Sequence, residues 1–159
     1  MNTQQKKLIS YSYDLLAMRR YTVRDMIKKL DAANLKFPEP LTEPELQEII
    51  ESLLRSNFLN DKEYAEFYLD AKVRRKPLGR LKITQEMERK GLSADLISQA
   101  FNKYDFDETA MVRLSLAKKL RLLHNPSLND LKTRQKIFRY LQSQGFQSDS
   151  IFRVIKETD

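Results

Sequence analysis

The feature that most constrains this chain is a helix-stop signal written three times at nearly constant spacing. Leu30 is followed four residues on by Asn34 and then Leu35, Met87 by Gly91 and Leu92, and Leu141 by Gly145 and Phe146, so the three copies begin 57 and 54 residues apart. A helix commonly ends on a left-handed Gly or Asn, and the apolar residue after it packs back on the last turn. Two of the three glycines therefore have a capping role, and Asn34 is the residue best able to imitate them.

The segments around these stops carry apolar residues at helical period. Each stop is followed by an amphipathic stretch, namely Ile49, Ile50, Leu53 and Leu54, then Leu96, Ile97, Ala100 and Phe101, then Ile151, Val154 and Ile155. Each capped helix is also preceded by one, as where Tyr64, Phe67, Tyr68 and Ala71 fall at i, i+3, i+4 and i+7. Asn60 before Glu63 starts that helix in the manner of a capping box. Helices are further expected over about 5–18, 22–33, 43–56, 79–90, 94–103, 107–124, 129–144 and 149–157, and no alternating strand pattern competes.

The expected fold class is all-α, an elongated, curved array of three tandem three-helix repeats: 1–58, 59–105 and 106–159. A unit of about fifty residues buries little surface alone and stacks on its neighbours. A single compact bundle is the alternative. The first unit holds an insertion, 35–44, containing Pro38, Pro40 and Pro44. Pro44 suits the first turn of a helix capped by Thr42 or Glu43, because its missing N–H is no loss there.

Composition removes most chemistries. With one His and no Cys, a zinc site, a thiol nucleophile and a disulfide are excluded, and neither common phosphate-binding glycine loop occurs. His124, before Asn125-Pro126, suits a helix end, not a general base. No catalytic residue, metal or cofactor is expected. The N-terminal residues are polar, and the absence of a signal or spanning segment with a basic pI near 9.5 places the expected protein in the cytoplasm, away from membranes.

The net charge of +7 is the remainder of opposed blocks. Residues 31–70 hold three cations against ten acids, and residues 112–139 eight cations against one acid. Such blocks suit a partner surface presenting both protein and nucleic acid. The basic candidates are Lys72, Arg74, Arg75, Lys76, Arg80 and Lys82 around one turn, and Lys118, Lys119, Arg121, Lys132, Arg134, Lys136 and Arg139 on two later helices. Glu43, Glu45, Glu48 and Glu51 form the candidate acidic docking face. Tyr21, Tyr104 and Tyr140 are the aromatic residues considered for stacking on bases, although core packing accounts for most aromatic positions.

Three stretches give the chain a family likeness: Leu59-Asn60-Asp61-Lys62-Glu63-Tyr64-Ala65; Ile83 with Glu86-Met87 and Lys90-Gly91-Leu92; and Arg134-Gln135-Lys136 with Leu141, Gly145-Phe146 and Ile151. With the threefold repeat they resemble the RecX regulatory proteins of bacteria, which modulate the RecA recombinase. Arg20-Tyr21-Thr22 to Leu30 fits the first repeat more loosely. The likeness departs at Lys76-Pro77-Leu78-Gly79-Arg80, which keeps only the last Gly of a Gly-aromatic-Gly turn, and at the proline insertion. It implies a non-enzymatic monomer that binds the groove of the RecA–single-stranded-DNA filament, with double-stranded DNA a further possible ligand. It also implies inhibition of recombinase, ATPase and co-protease activity, and so regulation of DNA repair, recombination and the SOS response. An independent helix-turn-helix-like DNA binder and a helical protein-interaction scaffold are the alternatives.

Overall fold

The computed structural model describes residues 2–158; Met1 and Asp159, the outermost positions of the first and third units, lie outside the described residues. Among the described residues there are nine α-helices and no strand: α1 (Thr3–Met18), α2 (Val23–Asn34), α3 (Glu43–Arg55), α4 (Asp61–Arg75), α5 (Arg80–Arg89), α6 (Ala94–Tyr104), α7 (Glu108–Leu122), α8 (Leu131–Ser143) and α9 (Ser148–Thr158). Extensive helix contacts stay within α1–α3, α4–α6 and α7–α9, each trio closing on its own core. Leu59 packs into the first core and Phe106 against the second. The accessible surface of 10147 Å² exceeds the roughly 8300 Å² of a compact chain of this mass, as an elongated array requires.

Local chemistry explains the helix boundaries. Asn60 Oδ1 accepts from the Glu63 N–H, and Thr42 with Glu45 forms a reciprocal capping box, so Thr42 is the cap that precedes Pro44. Gly91 and Gly145 take φ of +85° and +86°. Behind them the Leu92 N–H reaches the Met87 carbonyl and the Phe146 N–H that of Leu141, while both apolar side chains are buried.

The first stop differs. Asn34 lies within α2 and Leu35, which ends it, keeps right-handed geometry with its side chain exposed. The buried Asn34 amide instead clasps the insertion, Nδ2 donating to the Leu41 carbonyl at 2.9 Å and Oδ1 accepting from the Leu41 N–H at 2.8 Å. A second departure concerns α4, whose buried positions are Tyr64, Ala65 and Leu69, with Tyr68 half-buried. Ala71 and Phe67 are exposed, and Phe67 lies beneath the Arg20 guanidinium, 4.9 Å away. Four positions at i, i+3, i+4 and i+7 share a stripe, but the neighbouring α6 covers only part of it.

The repeats are coupled by a joint that occurs twice. In each case the N-terminus of one middle helix meets the C-terminus of the next repeat's middle helix, so opposite dipole ends face one another. At the first joint Thr22 Oγ1 donates to the Lys90 carbonyl at 2.8 Å, and the Val23 N–H donates to Asp61 Oδ1 at 2.9 Å. At the second, the Gly79 N–H donates to the Gln144 carbonyl at 2.9 Å, and the Arg80 N–H donates to Glu108 Oε1 at 3.0 Å. Asp61 and Glu108 are both the first residue of their helices, each reaching back to an orphan N–H of the preceding repeat. The Leu81 N–H adds a bond to the Gly145 carbonyl. All three glycines lie at these joints: a Cβ on Gly145 would come within 2.5 Å of the Lys82 nitrogen, and one on Gly91 within 2.7 Å of Arg24 Cβ.

Candidate binding surface

The six cations around residue 76 divide by what they touch. Lys72 Nζ lies 2.6 Å from Glu86 Oε2, which also accepts from the Tyr68 hydroxyl at 2.9 Å, and the ammonium sits over the Tyr68 ring. This half-buried triad ties α4 to α5. Donating a hydrogen bond to Glu86 raises the Lys72 pKa. Burial pushes the Glu86 carboxyl up, but its bonds to Lys72 and Tyr68 outweigh that and leave it below the ordinary value. The Arg80 guanidinium covers the Phe101 ring at 4.6 Å, and Lys82 Nζ donates to the Ser143 carbonyl across the second joint. Arg74 pairs with Asp70 one turn back on α4. Arg75 and Lys76 are exposed and carry no salt bridge among the described residues. The expected cluster is thus a structural set, Lys72, Arg80 and Lys82, beside the Arg74–Asp70 ion pair and an outward pair, Arg75 and Lys76.

The Glu86 triad has a pH signature. A carboxyl whose folded pKa lies below its unfolded value contributes stability that is present above about pH 4.5 and is lost as pH falls through the folded pKa. Urea midpoints measured between pH 7 and pH 3 are therefore expected to fall less steeply for Glu86→Gln than for the parent, starting from a lower midpoint at pH 7. Parallel profiles would remove the triad from the account of stability.

In the third repeat Lys118, Arg121, Lys132 and Lys136 are exposed. Lys119 bridges α7 to α8 by lying 4.5 Å from the Tyr140 ring centroid. The half-buried Arg134 donates from Nε to the Leu128 carbonyl, and Arg139 borders a groove between α8 and α9. Of the aromatic candidates, Tyr21 is buried in the first core beneath Arg19, Tyr140 is half-buried and Tyr104 is exposed. His124 contributes a left-handed backbone at the end of α7.

The four glutamates of α3 do not form one face, because Glu43 and Glu45 stand two residues apart and so diverge around the helix. Glu45 is spent on the Thr42 cap, whose backbone and hydroxyl donors lower its pKa. Glu43 faces the groove between α2 and α3, whereas Glu48 and Glu51 line the opposite side toward α1. Among the described residues no His, Cys, Asp and Glu cluster fit for a metal occurs, and no helix is long and apolar enough to cross a membrane.

Known proteins share this arrangement. The family profiles described as RecX, second three-helix domain, and RecX, third three-helix domain, match residues 60–100 and 107–155, together more than half the chain. A Regulatory protein RecX of Chlorobium phaeobacteroides (strain BS1) is 28% identical over 156 residues, 98% of this chain and 96% of its own. Another from Haemophilus influenzae (strain PittEE) is 29% identical, covering 92% and 91%. One from Clostridium perfringens (strain SM101 / Type A) is 32% identical over 115 residues, 72% of this chain but 53% of the longer relative. The crystal structure of RecX from Lactobacillus salivarius superposes with a TM-score of 0.83 at 22% identity, over 97% of this chain and 96% of that one. A second crystal structure of regulatory protein RecX gives 0.80 at 24%, over 97% and 72%. Three helical units in series, two of them matched by their own domain profiles, place this chain in the RecX family of regulatory proteins.

Proposed function

We propose that the protein binds the RecA–single-stranded-DNA filament and inhibits its recombinase, ATPase and co-protease activities, acting as a monomer in the cytoplasm without catalytic chemistry of its own. The observation that carries this reading is the pair of like joints, which holds three units at fixed spacing, as a ligand spanning successive subunits of a helical polymer needs. Exposed cations on the second and third units, Arg75, Lys76, Lys118, Arg121, Lys132 and Lys136, suit DNA phosphate. The acids of the first unit suit a basic protein surface. The units are proposed to be the chain's domains, close to 1–58, 59–105 and 106–159.

Co-sedimentation with RecA–single-stranded-DNA filaments, coupled to an ATPase assay at substoichiometric protein, tests the reading. Association and inhibition are expected at moderate salt, and their joint absence rejects it. Joint reversal of Arg75→Glu and Lys76→Glu is expected to weaken filament binding about tenfold and to reduce the salt slope by about 1–2. Unchanged affinity removes this pair from the interface. Tight binding to naked DNA with a steep salt slope, undiminished without recombinase, would favour an independent DNA binder.

A further inference from the structure

The third repeat carries an open groove of about 610 Å³ between α8 and α9. Its floor is apolar. The Phe138 and Phe152 rings lie 4.6 Å apart at 36°, flanked by Leu131 and Ile155. Leu131 and Phe152 are 66% and 61% exposed. Single exposed hydrophobic residues are ordinary, but a contiguous apolar floor with a polar rim marks an interaction site. The rim is basic among the described residues: Arg134, Arg139 and Lys156 border it with the neutral Gln135 and Gln142, and no carboxylate of a described residue lines it.

The first repeat supplies an internal comparison. Its groove between the middle and third helices, α2 and α3, has about 370 Å³ and a floor of Ile27, Leu30, Leu46 and Ile50. Asp31 and Glu43 border it, and among the described residues no cation does. The same place in the repeat thus bears opposite charge in the first and third units, so an occupant of the third-repeat groove is selected by sign as well as by shape.

We propose that the α8/α9 groove docks an acidic amphipathic helix of a protein partner. A third helix laid along the channel between two successive helices places anchors one turn apart against the two phenylalanines, while its flanking carboxylates meet Arg139 and Lys156. Single-stranded nucleic acid fits the floor less well. Base stacking uses open aromatic faces, whereas these two rings lie against each other, and Leu131 and Ile155 offer nothing to a base's polar edge. The proposal is independent of filament binding, which draws on Arg75, Lys76 and the outward lysines.

The test is fluorescence anisotropy on the full chain at physiological salt with four labelled probes. They are a 16-residue helical peptide bearing Leu and Phe four apart among glutamates, its lysine counterpart, the acidic peptide with both anchors changed to Ala, and a 15-nucleotide dT strand. The acidic peptide is expected to bind at least about tenfold tighter than either altered peptide. Arg139→Glu with Lys156→Glu is expected to shift preference to the lysine peptide, and Phe152→Ser to weaken acidic-peptide binding at least about tenfold with helicity unchanged. Glu43→Lys, in the first-repeat groove, leaves the preference in place. Equal binding of the acidic and lysine peptides overturns the proposal, as does undiminished affinity in Phe152→Ser. Displacement of the acidic peptide by dT, lost in Phe152→Ser, also overturns it and assigns the groove to single-stranded nucleic acid.

Discussion

Gly79→Ala is expected to open the joint between the second and third repeats while leaving each repeat folded. Gly79 has ordinary geometry, φ −78° and ψ 156°, so alanine meets no backbone strain of its own there. The added carbon would instead overlap the Gly145 carbonyl and the Phe146 nitrogen, which are backbone atoms and cannot rotate aside. The units must separate. In doing so they give up the bonds from the Gly79, Arg80 and Leu81 amides to the third repeat. At about 1 kcal/mol each, this is a loss of about 3 kcal/mol of coupling. Urea unfolding followed by circular dichroism is expected to divide into two transitions, as arrays do when a nearest-neighbour interface fails. Hydrogen exchange at those three amides should accelerate together. Gly145→Ala should be more damaging still, because it adds a left-handed backbone cost of about 1–2 kcal/mol to its overlap with Lys82. A single transition at the parent midpoint in Gly79→Ala would show that the joint tolerates the extra carbon.

Phe101→Ala is expected to destabilise the second repeat by about 3–5 kcal/mol, the cost of emptying a large buried aromatic site. Phe101 is 1% exposed and meets Phe106 edge-on with centroids 5.1 Å apart, while Arg80 lies over its ring. One truncation therefore takes away the centre of a small core, an aromatic pair and the platform of a joint residue. The second repeat contributes to both joints, so its loss uncouples the first and third. Thermal melting should fall by about 10 °C and the residual helical signal should unfold in independent steps. A uniform downward shift with one sharp transition would mean that the repeats behave as a single cooperative block.

The helices and the length of the repeat were legible because they rest on local rules. Period, cap and stop all act within a few residues, and the Gly91 and Gly145 stops formed as their sequence context implies. Asn34 was misread because its side chain is satisfied by Leu41 in an insertion whose path is tertiary. Phe67 had the right spacing for a core position, yet only the placement of α6 decides which part of an α4 stripe is covered. Sequence names the basic residues but does not sort them. Lys72 is committed to Glu86 on another helix, Arg80 to Phe101 and Lys82 to Ser143, and none of these partners is near in sequence. Fewer of these cations face outward unpaired than the sequence implied. The joint itself left one trace, an acid at the first position of α4 and α7, which by itself reads only as helix-dipole compensation.

The close approach at Gly91 and Gly145 makes the chain a graduated rule, with its divisions set by carbons that are not there. An error in such a rule accumulates: widening one joint displaces every unit beyond it, while the unit before it keeps its place. If the partner is periodic, as proposed, variants at the joints should therefore spare the first foothold on it and lose the later ones, so that contact length shortens stepwise along the chain.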